Sequence, residues 1–260
     1  MYILAYKKPS YKKPSYISSF KINGNSLNSM EITPVEDCVV DFGDGTKQTY
    51  TGNNTGNNSS RQVTHNYSES NTYTVQIIGN HSHFRAPATI IEIIQLSNSV
   101  TDCSNMFNYC TVLTEISSTF TIPNSVTDCS RMFFYCRSLT TIPSTFTIPD
   151  SVLNCSYMFG QCPSLTTIPS TFTIPNSVTD CSNMFGECIS LKSDISNIWP
   201  STWNSTGTID LSWMFSECKK VTGTVPADKL WNSGKTFSPD GCFFKCTSLT
   251  NYTEIPDDWK

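Results

Sequence analysis

The stretch SVTDCSRMFFYCRSLTTIPSTFTIPD at residues 125–150 is one copy of a unit that repeats along the chain. The preceding copy, 99–124, reads SVTDCSNMFNYCTVLTEISSTFTIPN, and the following copy, 151–176, reads SVLNCSYMFGQCPSLTTIPSTFTIPN. The period is 26 residues, and looser copies follow at 177–206, 207–234 and 235–260. A fixed period of about 20–50 residues indicates a stacked array, because each unit buries its apolar face only against its neighbours.

Two periodicities alternate within one unit. The run CSRMFFYC at 129–136 places apolar residues at i, i+3, i+4 and i+7, which predicts a short helix. The run TFTI at 145–148 alternates with period two, which predicts a short strand with Phe146 and Ile148 directed inward. We therefore predict a mixed α/β solenoid, right-handed and leucine-rich-repeat-like, with about six units over residues 99–260.

The repeat also carries a family resemblance. MFxxCxxL, preceded by SVTDCS and followed by TIP, resembles the BspA-like leucine-rich repeats of bacterial and protist surface proteins. The resemblance covers about residues 95–260. It implies display at a cell surface and a role in binding.

The segment before the repeats resembles a second family. DFGDGT at 41–46, HNY at 65–67 and NTYTVQI at 71–77 resemble a PKD-type immunoglobulin-like domain, which implies a small β-sandwich over residues 18–82. The Asp44-Gly45 pair is a hairpin turn signal. Asp41 and Asp44 have the oxygen ligands that calcium prefers, but acids that brace the turn are the favoured interpretation. Residues 83–98 are assigned to a linker and a capping strand.

The N-terminus, residues 1–17, is predicted to be a basic extended arm. The pentapeptide YKKPS occurs at 6–10 and again at 11–15, and the first acid of the chain is Glu31. Each proline fixes its own φ and disfavours a helical conformation in the preceding lysine. The arm is either a solvated tail or a docking element. Its candidate anchoring residues are Tyr6, Lys7, Lys8, Tyr11, Lys12 and Lys13.

The cysteines form two columns at the repeat period, and we interpret both as small buried hydrophobic residues. Two cysteines seven residues apart on a helix are too distant for a disulfide. Zinc-type spacing is missing too, so we predict no metal and no cofactor. His81 and His83 are interpreted as loop histidines.

The composition excludes several classes of function. The net charge is −4, which argues against a nucleic-acid partner. No apolar run approaches the roughly 20 residues that a membrane span needs. No GxSxG, HExxH or phosphate-binding loop motif occurs, so the chain is predicted not to be an enzyme. No secretory signal is recognised at the start of the sequence.

A threonine array is the candidate binding surface. The outward residues of the TFTI runs repeat from unit to unit, and this regular face resembles that of ice-binding solenoids, although a plain solvated face is favoured. The candidate binding residues are Thr119, Thr121, Thr145, Thr147, Thr171 and Thr173.

These observations lead to one expected function and two alternatives. The expected function is a non-enzymatic interaction or adhesion protein, displayed at the cell surface or extracellularly, which binds a protein or glycan partner. The first alternative is a structural or decorating protein of a phage virion or tail, whose arm anchors it in a capsid or tail assembly. The minor alternative is ice binding by the threonine array.

Overall fold

The computed structural model describes residues 16–52 and 59–260. Its N-terminal part is a seven-stranded sheet. The strands are β1 (Ile17–Pro34), β2 (Cys38–Asp41), β3 (Lys47–Tyr50), β4 (Arg61–Ile78), β5 (His81–Arg85), β6 (Ile90–Gln95) and β7 (Glu115–Ile116). Their order in the sheet is β3-β2-β4-β1-β6-β7, and β5 also pairs with β1. The β6–β7 pair is parallel and the other pairs are antiparallel.

The separate β-sandwich predicted before the repeats is wrong, since one sheet runs from this segment into the first repeat. β1 is 18 residues long, so it has room for several partners on its two edges. Phe20 lies opposite Val75 of β4 and Ile93 of β6, while Ile32 lies opposite Phe84 of β5. The strands β5 and β6, in the segment assigned to a linker and cap, therefore belong to the sheet. β6 also pairs with β7, which lies inside the first repeat.

The mixed α/β solenoid of leucine-rich-repeat type is also wrong. The helices of the described residues are 3-10 helices of three residues each, at Ala227–Lys229, Tyr252–Glu254 and Asp257–Trp259. Two further short strands, β8 (Ile209–Asp210) and β9 (Phe237–Ser238), pair in parallel. The repeats are therefore built from turns and isolated bridges, packed against a mixed sheet.

The predicted helix of each unit is a run of overlapping turns. The backbone N–H of Met132 donates to the Cys129 carbonyl at 3.2 Å, which closes a turn within the unit. The N–H of Phe133 donates instead to the Met158 carbonyl of the next unit at 2.8 Å. An α-helix would direct these N–H groups to its own carbonyls four residues earlier. The spacing of apolar residues indicates which side chains point inward. Overlapping turns and a helix share that spacing, so the spacing alone does not distinguish them.

We call these segments the turn ribbons. They occupy residues 103–110, 129–136, 155–162, 181–188, 211–218 and 239–246. The predicted TFTI strand is also absent from the described units, although its alternation persists: Thr145 and Thr147 are exposed, while Phe146 and Ile148 are buried. Successive units are joined by single parallel bridges such as Asp128 with Asn154 and Thr141 with Thr167.

A ladder of stacked phenylalanines forms the core of the repeats. The Phe107 and Phe133 ring centroids lie 5.4 Å apart and nearly parallel, and Phe133 and Phe159 lie 5.1 Å apart. The ladder begins on the sheet, where Phe84 meets Phe107 edge to face at 5.7 Å. It ends at Trp259, whose ring stacks on Phe243 at 6.2 Å. Sheet and repeats thus share one continuous aromatic core, with each aromatic pair worth about 1 kcal/mol beyond its burial.

Candidate functional site

The turn ribbons hold residues in the left-handed backbone region, and these residues lie on one side of the stack. In the first ribbon Asn105 has φ of 56° and Tyr109 has φ of 60°. This conformation costs a non-glycine residue free energy. Its recurrence from ribbon to ribbon therefore indicates that the stacking of the units imposes it. The positive-φ residues other than glycine are Asn105, Tyr109, Arg131, Tyr135, Tyr157, Gln161, Asn183, Glu187, Trp213, Glu217 and Lys245. We call the surface that they form the turn face.

Aromatic and cationic side chains cover the turn face of the first units. Tyr109 is 50% exposed, and its ring lies 4.8 Å from Tyr135 and 5.7 Å from Phe134. The Arg137 guanidinium lies over the Tyr135 ring at 4.6 Å. Exposed aromatic rings together with arginine are the side chains that dominate binding hot spots. We call this group the Tyr109 cluster.

A groove of about 680 Å³ lies farther along the turn face. Its two aromatic residues are Tyr157 in the third ribbon and Trp213 in the fifth. The third and fourth ribbons carry Gly160 and Gly186 where the first two carry Asn108 and Phe134, so the surface is lowered there. The lining residues are Tyr157, Asn183, Glu187, Ile189, Trp213, Ser216 and Glu217. We call it the Tyr157–Trp213 groove.

Close packing explains the two glycines. A Cβ atom on Gly160 would lie 2.9 Å from the Asn183 carbonyl oxygen. A Cβ atom on Gly186 would lie 3.1 Å from the Asn183 Oδ1 atom and from the Trp213 carbonyl oxygen. Neither glycine needs a positive φ, so space alone favours glycine at both positions.

Ion pairs and hydrogen bonds hold the acidic residues that border the groove. Glu217 forms ion pairs with Lys245 and with Lys219, and the hydrogen bond from Lys245, followed by that from Lys219, lowers the pKa of its carboxyl group. Gln161 donates a side-chain hydrogen bond to Glu187 at 3.0 Å. These contacts hold the carboxylates in place without a metal ion.

The threonine array is exposed, as the alternation predicts. Thr145 and Thr171 nevertheless donate their hydroxyl hydrogens to the carbonyls of Ser118 and Ser144 of the preceding units, each at 2.6 Å. Thr119 donates to the Ile94 carbonyl at 3.3 Å. Two of these hydroxyls therefore join neighbouring units and the third joins the first unit to β6, while the Thr121, Thr147 and Thr173 side chains face solvent. Whether the array binds anything stays a prediction.

Asp41 and Asp44 serve the hairpin turn. Asp41 accepts from the Gly43 N–H and pairs with Lys47 at 2.7 Å. Asp44 accepts from Thr46 and pairs with His65 at 2.7 Å, and these hydrogen bonds lower its pKa to about 2. Among residues 16–52 and 59–260, no group of three or more His, Cys, Asp or Glu side chains is placed to hold a metal ion.

The cysteines are buried and held in columns. Cys136 donates from Sγ to the Phe107 carbonyl of the preceding unit at 3.2 Å. The same bond recurs in Cys162, Cys188, Cys218 and Cys246. Burial raises the pKa of Cys162 to about 12, so its thiol stays protonated at neutral pH and is a poor nucleophile.

Two further sets of sequence predictions have different outcomes. His81 and His83 are not loop residues but lie in β5, where His81 is buried. The proposed anchoring residues of the arm, Tyr6, Lys7, Lys8, Tyr11, Lys12 and Lys13, lie outside the described residues.

The sequence reasoning missed the Tyr109 cluster and the groove. Both are built from ribbon positions that differ between units, as NMFNY, RMFFY, YMFGQ, NMFGE and WMFSE show. The positions that repeat from unit to unit build the core. Variation within an otherwise regular repeat was the available signal, because surface positions are the ones that packing leaves free.

The fold and this surface define a strand-and-turn repeat protein with aromatic side chains along one face. The family model described as "Mycoplasma protein of unknown function, DUF285" matches residues 60–172 and again residues 149–255. Together the matches span residues 60–255, so the chain belongs to this family. Comparison with curated proteins and with solved structures found no match. Within the described part of the chain, no helix has the length and apolar character needed to cross a bilayer.

Proposed function

We propose that the protein is a non-enzymatic interaction or adhesion protein that binds a protein or glycan partner through its turn face. The observation that carries the proposal is a row of aromatic residues on one side of the stack. Its two ends, Tyr109 and Trp213, are 50% and 45% exposed, and the aromatic residues between them are half-buried. Large exposed aromatic groups cost hydration free energy, and a partner that covers them recovers it. The ladder beneath them fixes their positions, which lowers the entropy lost on binding.

The sequence resemblance supports display at a surface. The repeats resemble those of BspA-like surface proteins, and DUF285 membership is consistent with this relationship. Localisation at the cell surface or outside the cell is accordingly part of the proposal.

A binding assay with two variants tests the proposal. Labelled protein is applied to immobilised extracellular proteins and oligosaccharides, and affinity is measured for each ligand that binds. Replacing Tyr109 and Trp213 by serine should weaken binding about tenfold or more, because both rings lose contact area. Replacing Thr121, Thr147 and Thr173 by alanine should leave it within about twofold, since scattered surface positions contribute little.

If the threonine variant loses binding and the aromatic variant does not, the threonine array is the binding surface. If neither extracellular proteins nor oligosaccharides bind, the proposal is refuted. The virion alternative makes a different prediction. Removing residues 1–15 would then abolish incorporation into a particle, while binding through the turn face would be unaffected.

A further inference from the structure

We propose that the Tyr157–Trp213 groove binds one neutral sugar ring of a glycan, sandwiched between the two aromatic side chains. This inference rests on the proposed function and names the ligand of its turn face. It follows from how the two rings are held, how far apart their ribbons lie, and which polar groups line the space between them.

Both rings are supported from outside the groove. The Arg131 guanidinium lies 5.0 Å from the Tyr157 ring centroid, and Phe134 meets the same ring edge to face at 5.6 Å. Trp213 lies against Gly241, where an added Cβ would be 2.8 Å from the indole, and it meets Phe244 edge to face at 6.0 Å. Both sets of supports come from units outside the groove, so the remaining ring surfaces are turned toward the groove that they line.

The separation of the ribbons suits one ring. The core phenylalanines of the third, fourth and fifth ribbons are spaced 5.5 Å and 5.3 Å apart, for Phe159–Phe185 and Phe185–Phe215. The ribbons that carry Tyr157 and Trp213 are therefore separated by roughly 11 Å. Carbon contacts of about 3.5–4.0 Å on each side mean that one saturated ring needs aromatic faces roughly 8 Å apart, so this separation admits one ring with about 3 Å to spare.

Polar groups without partners line the space between the rings. Within the described part of the chain, neither the Asn183 side-chain amide nor the Ser216 hydroxyl has a hydrogen-bond partner, and both line the groove. Asn183 offers two N–H donors and a carbonyl acceptor, and Ser216 offers one donor and acceptor lone pairs. Sugar hydroxyls are donors and acceptors on a ring whose C–H faces pack on aromatic surfaces. An aromatic pair with amide and hydroxyl groups between its rings matches both properties.

Size argues against larger ligands, and charge leaves a cationic ligand to be tested. Of the two carboxylates that line the groove, Glu217 already pairs with Lys219 and Lys245. Glu187 accepts a hydrogen bond from the neutral Gln161 side chain, and its carboxylate oxygens also suit sugar hydroxyl donors. A cage for a quaternary ammonium group surrounds the cation with aromatic faces, whereas this groove has rings at its two ends alone. Its volume falls within the range of small-ligand sites, about 300–1,000 Å³, so a single sugar ring fits better than a protein surface does.

The test uses the full chain and a matched pair of variants. The protein is screened on an array of neutral, sialylated and sulfated oligosaccharides, and the strongest neutral binder is titrated by calorimetry and by tryptophan fluorescence. Trp213→Ala should weaken its binding about tenfold. Leu153→Ala should leave it unchanged; Leu153 is an apolar residue of similar exposure, 48% against 45% for Trp213, but it does not line the groove.

Two further variants probe the mechanism. Trp213→Phe should retain most of the binding, because a flat ring remains, but should lose the fluorescence change. Asn183→Asp should weaken binding about fivefold, since it removes the amide donors and keeps a side chain that tolerates positive φ.

Choline and an arginine-rich peptide serve as competing probes. If either binds with dependence on Trp213 while neutral oligosaccharides do not, the groove is a cation site and the inference is overturned. Equal effects of Trp213→Ala and Leu153→Ala, or no neutral binder, would also overturn it. If proteins still bind through the Tyr109 cluster in that case, the proposed function stands without the sugar site. Loss of all binding would refute both.

Discussion

His81 shows how a single buried group links the sheet to the solution pH. It is fully buried; its Nδ1 atom lies 2.9 Å from the Gly79 carbonyl oxygen and its Nε2 atom lies 2.9 Å from Ser18 Oγ. The neutral ring satisfies both contacts by donating from Nδ1 and accepting at Nε2. Ser18 in turn accepts from the Ser97 N–H, so the ring ties β1, β5 and the chain after β6 together.

The first prediction follows from the cost of charging this ring. Burial lowers the pKa of His81 from 6.5 to about 4, so between these values the unfolded state binds more protons than the folded state. The contribution of the neutral His81 ring to the free energy of unfolding is then fully present above pH 6.5. This contribution is lost as the pH drops toward 4 and amounts to about 3 kcal/mol in all. Urea unfolding measured from pH 7 to pH 4 should show this loss.

The control for this prediction is the neighbouring histidine. His81→Gln should flatten the pH dependence between pH 6.5 and 4 even if its stability at pH 7 is lower. His83→Gln should keep the dependence, because the His83 ring is only half-buried and contacts the Asp102 carbonyl. Equal flattening in both variants would show that other groups, not His81, dominate the acid response.

At the scale of the element, the turn ribbon explains which sequence predictions held and which were wrong. The columns of Cys129, Met132, Phe133 and Cys136 are fully buried, as the spacing predicts. The spacing did not specify hydrogen-bond partners, and those distinguish a helix from overlapping turns. The backbone at Arg131 and Tyr135 has a positive φ, which contradicts a right-handed helix. Neither residue type indicates a positive φ when it occurs in a sequence.

The second prediction tests the imposed backbone at Gln161, whose φ is 55°. Gln161→Val should lower the free energy of unfolding by about 1–2 kcal/mol relative to Gln161→Ala, since a β-branched residue is the least tolerant of this conformation. Gln161→Gly should be at least as stable as Gln161→Ala. The alanine variant accounts for the lost hydrogen bond to Glu187. A valine variant as stable as the glycine variant would contradict the ribbon geometry.

The third prediction concerns the cysteine columns. All twelve cysteines are buried and free in the structure, and burial raises the pKa of groups such as Cys110 and Cys218 to about 12. Without reductant, a thiol reagent at pH 8 should therefore react slowly with the native protein. In denaturant, the same reagent should titrate twelve thiols per chain. Recovery of one or two thiols would mean that disulfides join the columns.

At the scale of the whole molecule, the extent of the repeats was predictable and their junction with the sheet was not. The 26-residue period is visible in the sequence because each unit must present the same face to the next. The junction uses nonrepeating residues: Phe84 meets Phe107, and the Ala86 N–H donates to the Met106 carbonyl at 2.8 Å. Local patterns cannot identify such pairs, because the contact joins segments with unrelated sequences.

The last prediction follows from the equivalence of successive units. The Cys103 N–H donates to the Asp128 carbonyl at 3.0 Å, and the Cys129 N–H donates to the Asn154 carbonyl at 2.9 Å. Deleting residues 125–150 would place the Asn154 carbonyl opposite the Cys103 N–H, where the Asp128 carbonyl lies in the intact protein. The shortened protein should therefore unfold cooperatively in urea, with an m-value lower by roughly a tenth.

Deleting residues 125–137 is the matched control. This deletion removes half a unit, which brings core positions opposite surface positions and breaks the ladder between Phe107 and Phe159. It should yield a much less stable protein with a broad transition, although it removes fewer residues. If the half-unit deletion were as stable as the whole-unit deletion, then the stability of the molecule would not depend on the register of its repeats.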